Sequence, residues 1–86
     1  MAGRHLLTFE LSEKGDDLSI YGDAAGLRLL SERLLALAQK ADTHSQPSVE
    51  QLSTSVWGGN ELSLEAQGAE TRLIYQVRIV AQGRRR

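Results

Sequence analysis

A leucine-rich run at residues 24–41 lies between two regions with alternating apolar residues, and this arrangement constrains the fold more than any other feature. Within the run, apolar residues recur at steps of three and four, the spacing of one face of an α-helix. They are Leu27, Leu30, Leu34, Leu37 and Ala41. Asp23 precedes the run, where its side chain can accept a hydrogen bond from a free amide of the first turn. We therefore predict one helix that begins after Asp23 and ends before Pro47.

Gly26 falls in the first turn of this predicted helix. A glycine there destabilises a helix by about 1 kcal/mol relative to alanine. We therefore predict that the start of the helix lies close to the backbone of a strand, where a side chain would not fit.

Two alternating segments precede the helix, residues 6–12 and 18–22, and the sequence EKGDD between them is typical of a turn. Period-two alternation indicates strands with one buried face, so the pair predicts a β-hairpin. Thr8 and Glu10 should point to solvent. The apolar residues expected to face the helix are Leu7, Phe9, Leu11, Leu18 and Ile20.

Three further β-compatible segments follow the helix, residues 49–56, 61–66 and 71–81. The last is expected to form one uninterrupted strand. Its predicted buried face consists of Leu73, Tyr75, Val77 and Ile79. The order ββαβ(β)β predicts an α+β fold, an antiparallel sheet of four to five strands with one α-helix packed on one face.

Length and charge exclude several function classes. The 86 residues are enough for a single domain, which we place at residues 1–83, followed by a basic tail at residues 84–86. Ten basic and eleven acidic residues are present, and three of the basic ones lie in the tail, so residues 1–83 carry a net charge of −4. A nucleic-acid-binding protein is expected to have a basic face instead.

Localisation is predicted from what the sequence lacks. There is no cysteine, no signal-peptide core at the start of the sequence and no apolar run of transmembrane length. We expect a cytoplasmic protein that neither spans nor binds a membrane.

Residues with catalytic or metal-binding chemistry are sparse. His5 and His44 fall on separate predicted elements and have no acidic or thiol ligand at metal-site spacing. No serine lies in a nucleophile motif of the G-x-S-x-G type. We therefore expect no enzymatic activity, no cofactor and no metal.

Several apolar residues fall outside the predicted core faces: Leu6, Tyr21, Leu29, Leu35, Ile74 and Val80. Scattered exposed apolar residues are normal in soluble proteins. A cluster of them would instead mark a partner surface or a homodimer contact on the open face of the sheet. Both interpretations stay open at this point.

The segment SVWGGNELS, residues 55–63, places the single tryptophan of the chain beside its single Gly-Gly pair. In one interpretation the residues from Gly58 to Asn60 link two strands through unusual backbone angles, and Trp57 packs over the loop or the sheet edge. In the other, Trp57 is an exposed anchor for a partner, with Asn60 and Glu61 beside it. The two interpretations are compatible.

Two segments resemble a known family. Asp23-Ala-Ala-Gly-Leu27 is similar to the "GD-x-x-GL" helix start of the immunity protein 32 family, and residues 52–63 are similar to its "HLxTxxWGGNELS" signature. His44 stands where the family tends to carry a histidine after the helix, whereas Gln51 replaces the histidine that usually precedes the leucine. The resemblance covers about residues 18–80.

This resemblance implies a small bacterial protein that blocks a cognate toxin by stoichiometric binding, without catalysis. The runner-up is a small non-catalytic structural or regulatory domain that is homodimeric through the open sheet face. The candidate partner-surface and motif residues are Asp23, His44, Trp57, Gly58, Gly59, Asn60 and Glu61.

Overall fold

The computed structural model describes residues 5–83 and contains one long helix and five strands. The strands are β1 (Leu7–Ser12), β2 (Leu18–Gly22), β3 (Ser48–Ser53), β4 (Thr71–Leu73) and β5 (Gln76–Ala81), the helix is α1 (Ala24–Thr43), and a 3-10 turn covers Ser55–Trp57. All strand pairs are antiparallel. The predicted α+β class, with one helix and antiparallel strands, is confirmed.

The strands form two sheets, whereas the sequence predicts one. The first has the order β2-β1-β4 and the second consists of β3 and β5. The chain passes from one sheet to the other between β4 and β5, because Ile74 N donates to Phe9 O at 2.8 Å while Tyr75 O accepts from Thr54 N at 3.0 Å. The last segment is therefore not one uninterrupted strand.

This change of partner also alters which side chains of the last segment are buried. Ile74, Val77 and Ile79 pack against the core, so the two-residue alternation is interrupted between positions 74 and 77. Tyr75, predicted on the buried face, is half-exposed, and Leu73 lies opposite Glu10 in the register. The single predicted face of Leu73, Tyr75, Val77 and Ile79 is thus wrong at its first two positions.

The hydrophobic core lies where the two sheets and the helix meet. It consists of Leu7, Phe9, Leu52 and Leu62, with Leu29, Leu30, Ile74, Val77 and Ile79 packed around it. Burying one such leucine stabilises a fold by about 1.5–3 kcal/mol. Because Leu62 belongs to the long connection between β3 and β4, this connection is fixed to the core.

The predicted leucine stripe is confirmed in part, since Leu30 packs against the core and Leu37 is buried. Leu27 and Leu34 are 47% and 42% exposed, whereas Leu29, predicted to lie off the core stripe, packs against the core. The predicted close approach at Gly26 is confirmed, because a Cβ atom there would collide with the Leu6 carbonyl.

Strand β1 differs from the prediction because both of its faces are covered. Thr8 and Glu10, predicted to face solvent, are fully buried under the turn that precedes β4. Leu18 and Ile20, predicted to face the helix, are half-exposed instead. The helix packs mainly on β3 and β5, which leaves this end of β2 uncovered.

Residues 61–66 do not form the predicted strand, and the 3-10 turn ends the predicted strand 49–56 early. Leu62 N donates to Ser53 O at 3.1 Å and Ser63 N donates to Leu7 O at 2.8 Å. Since these two acceptors belong to different sheets, the segment bridges the gap between β1 and β3. It cannot pair with one strand along its length.

Candidate functional site

The loop of residues 54–63, which contains the motif segment and is named the WGGN loop here, begins with a compact hydrogen-bonded turn. Thr54 O accepts from Trp57 N at 3.0 Å and from Gly59 N at 2.9 Å. Gly58 has a φ of 86°, a left-handed conformation that glycine adopts without steric cost. The turn thus fixes the backbone on both sides of Trp57.

Gly59 is required for a different reason. A Cβ atom on this residue would lie 2.7 Å from both Cβ and O of Ser53 and 2.8 Å from Oε1 of Glu61. The first two of these atoms belong to Ser53, the last residue of β3, and cannot easily move. Of the unusual angles that the loop interpretation predicts for residues 58–60, a left-handed one is present at Gly58, whereas Gly59 serves a close approach instead.

Glu61 fixes the second half of the WGGN loop. Its Oε1 accepts from Ser53 N at 3.1 Å, and its Oε2 lies 3.7 Å from a guanidinium nitrogen of Arg33 on α1. Burial raises the pKa of Glu61, but the Ser53 amide and the Arg33 charge outweigh burial, so the pKa is lowered. The same guanidinium binds Glu50 of β3 at 2.6 Å. Arg33 therefore ties the loop, the helix and the second sheet together.

The sequence did not reveal Arg33 as a site residue. It lies inside a leucine-rich run, and the predicted stripe placed leucines on the inner face. Its position seven residues after Gly26 was an available signal, because residues at this spacing share a helix face.

The end of the WGGN loop is attached to β1. Ser63 Oγ accepts from Leu7 N at 3.1 Å and donates to His5 O at 3.2 Å. His5 Nε2 donates to Glu61 O at 2.6 Å. His5, considered in the sequence only as a metal ligand, thus acts as a hydrogen-bond donor to the loop.

Trp57 is 60% exposed although the backbone around it is fixed. Its neighbour Val56 and, further along, Leu64 are also exposed apolar side chains, and Asn60 is exposed. Most of the Trp57 side chain is therefore accessible to solvent. The loop presents an apolar surface around Trp57 and hides Glu61 and Leu62.

Asp23 and His44 lie at opposite ends of the helix. Asp23 Oδ1 accepts from Gly26 N at 2.8 Å, as predicted for a helix cap, and this bond lowers the pKa of Asp23. His44 caps the other end, with its Nδ1 3.0 Å from Lys40 O. Since a helix of 20 residues is about 30 Å long, these two residues do not form one site. Both stabilise the ends of α1.

Glu10 is a buried carboxylate that the sequence did not reveal. Oε2 accepts from Thr8 Oγ1 at 2.7 Å and from Gln67 N at 2.8 Å, and Oε1 accepts from Gly68 N at 2.9 Å and from Thr71 Oγ1 at 2.7 Å. Burial raises the pKa of this group, but the four donors outweigh burial and lower the pKa to about 2. All four donors are groups of the protein itself, and three of them lie in residues 67–71. Glu10 therefore holds this turn in place.

A groove of about 570 Å³ lies beside the WGGN loop. It is lined by His5, Ser55, Gly59, Asn60, Leu62, Ser63, Leu64 and Glu65. Its size falls in the range of about 300–1,000 Å³ that ligand pockets occupy. Half of the WGGN loop thus forms one wall of a concave surface.

Two other kinds of site, a metal centre and a membrane-spanning helix, are absent from residues 5–83. Within this range no three histidine, aspartate or glutamate side chains converge to hold a metal ion. No helix in the same range is long and apolar enough to cross a bilayer.

Comparison with known proteins identifies one family. A model of the family described as immunity protein 32 matches residues 17–76, more than two thirds of the chain. No curated protein matches the chain, and no solved structure matches it. The matched range contains the capped helix start at Asp23, the whole of α1 and the WGGN loop. The chain therefore belongs to the immunity protein 32 family.

Proposed function

We propose that this protein neutralises a cognate bacterial toxin by stoichiometric binding, with the WGGN loop at the centre of the contact surface. Membership of an immunity protein family supports a toxin as the partner. The observation that carries the choice of surface is the 60% exposure of Trp57 on a loop whose backbone is fixed.

The energetics of binding favour such a loop. Residues that dominate protein–protein affinity are enriched in tryptophan and lie near the centre of an interface. An ordered loop loses little conformational freedom on binding, so more of its contact energy appears as affinity. The contacts of Glu61 to Ser53 and Arg33 hold the loop in one conformation before the toxin binds.

The net charge of the chain is expected to raise the rate of association with the toxin more than the affinity. Residues 1–83 carry a net charge of −4, which attracts a basic toxin over distances of about 8–10 Å at moderate salt. We place the encounter in the cytoplasm, in keeping with the absence of cysteine from the sequence. No chemical step is part of this proposal.

The test uses the protein encoded by a toxin-like reading frame next to this gene, purified as an inactive variant. Isothermal titration should show one-to-one binding. The Trp57→Ala variant should bind at least about 30-fold more weakly, the effect of losing an interface anchor of about 2 kcal/mol. Because Trp57 is mostly exposed, its unfolding free energy should change by less than about 1 kcal/mol.

Leu35→Ala is the matched control, since Leu35 is also 60% exposed but lies on α1. This control should bind like the wild type. Equal affinity of Trp57→Ala and wild type would reject the WGGN loop as the contact surface. The absence of any binding to the neighbouring gene product would reject the proposed function itself.

A homodimer stays a prediction as the alternative. Val49 and Val80 are paired in the register and half-exposed on the face of the second sheet that points away from the helix. Light scattering on the purified protein tests this alternative. A monomer at high concentration would remove it.

A further inference from the structure

We infer that the groove beside the WGGN loop receives a basic side chain, arginine or lysine, of the partner protein. This inference rests on the proposed function, and it adds the chemical class of the contact. Three observations carry it: the lining of the groove, the distribution of charge around it and the rigidity of its walls.

The lining combines apolar and hydrogen-bond-accepting groups. Leu62 and Leu64 supply apolar surface, and Asn60, Ser63 and Glu65 supply oxygen atoms. A long basic side chain has the same two parts, because it buries its aliphatic stem along apolar surface while its charged head contacts polar groups. A volume of about 570 Å³ is sufficient for one such side chain with part of the adjoining chain.

Within residues 5–83, the lining of the groove contains one carboxylate, Glu65, and no lysine or arginine, and the segment that supplies most of the lining is acidic. No lysine or arginine occurs from residue 41 to residue 71, whereas five carboxylates do: Asp42, Glu50, Glu61, Glu65 and Glu70. Arg33 contacts both Glu50 and Glu61, so this trio retains one negative charge. Glu65 makes no ion pair with any residue in the range 5–83.

Among the residues that the structure describes, His5 is the only basic group of the lining, and it is already engaged in a hydrogen bond. Its Nε2 donates to Glu61 O. A carboxylate without an ion-pair partner at a concave surface, as Glu65 is within residues 5–83, favours a cationic group from the partner. An acidic or neutral side chain would leave the charge of Glu65 uncompensated on desolvation.

The walls of the groove are fixed before binding. Gly59 donates to Thr54 O, Leu62 to Ser53 O and Ser63 to Leu7 O, each through its backbone amide. A concave site with fixed walls distinguishes side chains by shape and charge at little cost in conformational entropy. The groove therefore needs no rearrangement to accept its ligand.

The test needs no toxin. The full-length protein, labelled with ¹⁵N, is titrated with a blocked Gly-Arg-Gly peptide and with the matched citrulline peptide, which has nearly the same shape but no charge. We expect the arginine peptide to shift the amide signals of Gly59, Asn60 and Leu64, with a dissociation constant in the millimolar range. The citrulline peptide should bind several-fold more weakly.

Two variants test which carboxylate contributes to binding of the arginine peptide. Glu65→Gln should weaken binding of the arginine peptide by about 2- to 5-fold, which corresponds to an exposed ion pair. Glu70→Gln removes the same charge outside the lining and should have no comparable effect. The spectrum of each variant also shows directly whether it is folded.

Each outcome decides the inference. Equal shifts with both peptides, unchanged binding in Glu65→Gln, or shifts confined to α1 would overturn it. Self-association that Glu65→Gln abolishes would assign the groove to a second copy of the chain and would also overturn it. If the peptide experiment fails while the toxin binds, only this inference is rejected. If the peptide binds and the neighbouring gene product does not, only the proposed function is rejected.

Discussion

Replacing Glu10 with glutamine tests whether a buried carboxylate holds the turn before β4. The side chain is fully buried, and its two oxygens each accept one backbone amide, from Gln67 and Gly68. An amide group of the same shape has only one oxygen. In either orientation its NH2 group therefore faces a backbone N–H and leaves that donor unpaired.

Two estimates of the loss agree. The pKa of Glu10 is lowered from the ordinary 4.5 to about 2, and at about 1.4 kcal/mol per unit this corresponds to about 3 kcal/mol. Only one turn separates the carboxylate from solvent, so screening reduces the value to about 1–2 kcal/mol. An unpaired buried donor costs about 1–3 kcal/mol. We therefore expect the unfolding free energy of Glu10→Gln to fall by about 2 kcal/mol at neutral pH.

Urea denaturation followed by circular dichroism measures this change. The matched control is Glu13→Gln, which removes the same charge from the exposed hairpin turn and should stay within about 0.5 kcal/mol of wild type. A loss for Glu10→Gln that is no larger than that of the control would show that the four hydrogen bonds do not stabilise the fold.

The pH dependence provides a second check on the same carboxylate. Folding lowers the pKa of Glu10, so its contribution is fully present above the unfolded value of 4.5 and is lost as the pH falls to about 2. The stability difference between wild type and Glu10→Gln should therefore be constant near neutral pH and shrink between about pH 5 and about pH 2. A difference that does not change over this interval would refute the argument.

The remaining predictions concern substitutions at two glycines. In both cases urea denaturation measures the change in unfolding free energy. Gly26→Ala should lower the unfolding free energy by about 2 kcal/mol, because the new Cβ collides with the Leu6 carbonyl, although alanine is the better helix former. Ala25→Gly, at the exposed neighbouring position, should cost only about 0.5–1 kcal/mol, and equal losses would contradict the close approach. Gly59→Ala should cost about 1–3 kcal/mol through its contact with Ser53, and an unchanged stability would show that the loop is not fixed there.

The sequence predicts the parts of the fold that depend on local periodicity. The helix, its cap at Asp23 and the first hairpin follow from spacing within about 20 residues, and all are present. The close approach at Gly26 was also predictable, since a glycine in a first helical turn needs a reason. Predicting these features requires no knowledge of contacts between residues that are far apart in the sequence.

The division into two sheets could not be predicted in this way. It depends on hydrogen bonds from Ile74 to Phe9 and from Thr54 to Tyr75, which join residues far apart in sequence. Apolar and polar residues alternate along residues 71–81 as they do in a single strand. No local feature of the sequence shows where this segment changes from one pairing strand to another. The burial of Glu10 has the same origin, because its donors at positions 67, 68 and 71 lie in a turn that sequence spacing cannot place over β1.

The WGGN loop shows how a sequence motif can combine two physical roles. Gly59, Glu61 and Leu62 are held against β3, Arg33 and the core, so their identities are set by the fold. Trp57 is 60% exposed, so packing within the fold constrains its identity less than theirs. A match to the whole motif therefore identifies the loop conformation through its buried members. Under the proposed function, information about the partner resides in Trp57 and in the exposed lining residues Asn60, Leu64 and Glu65.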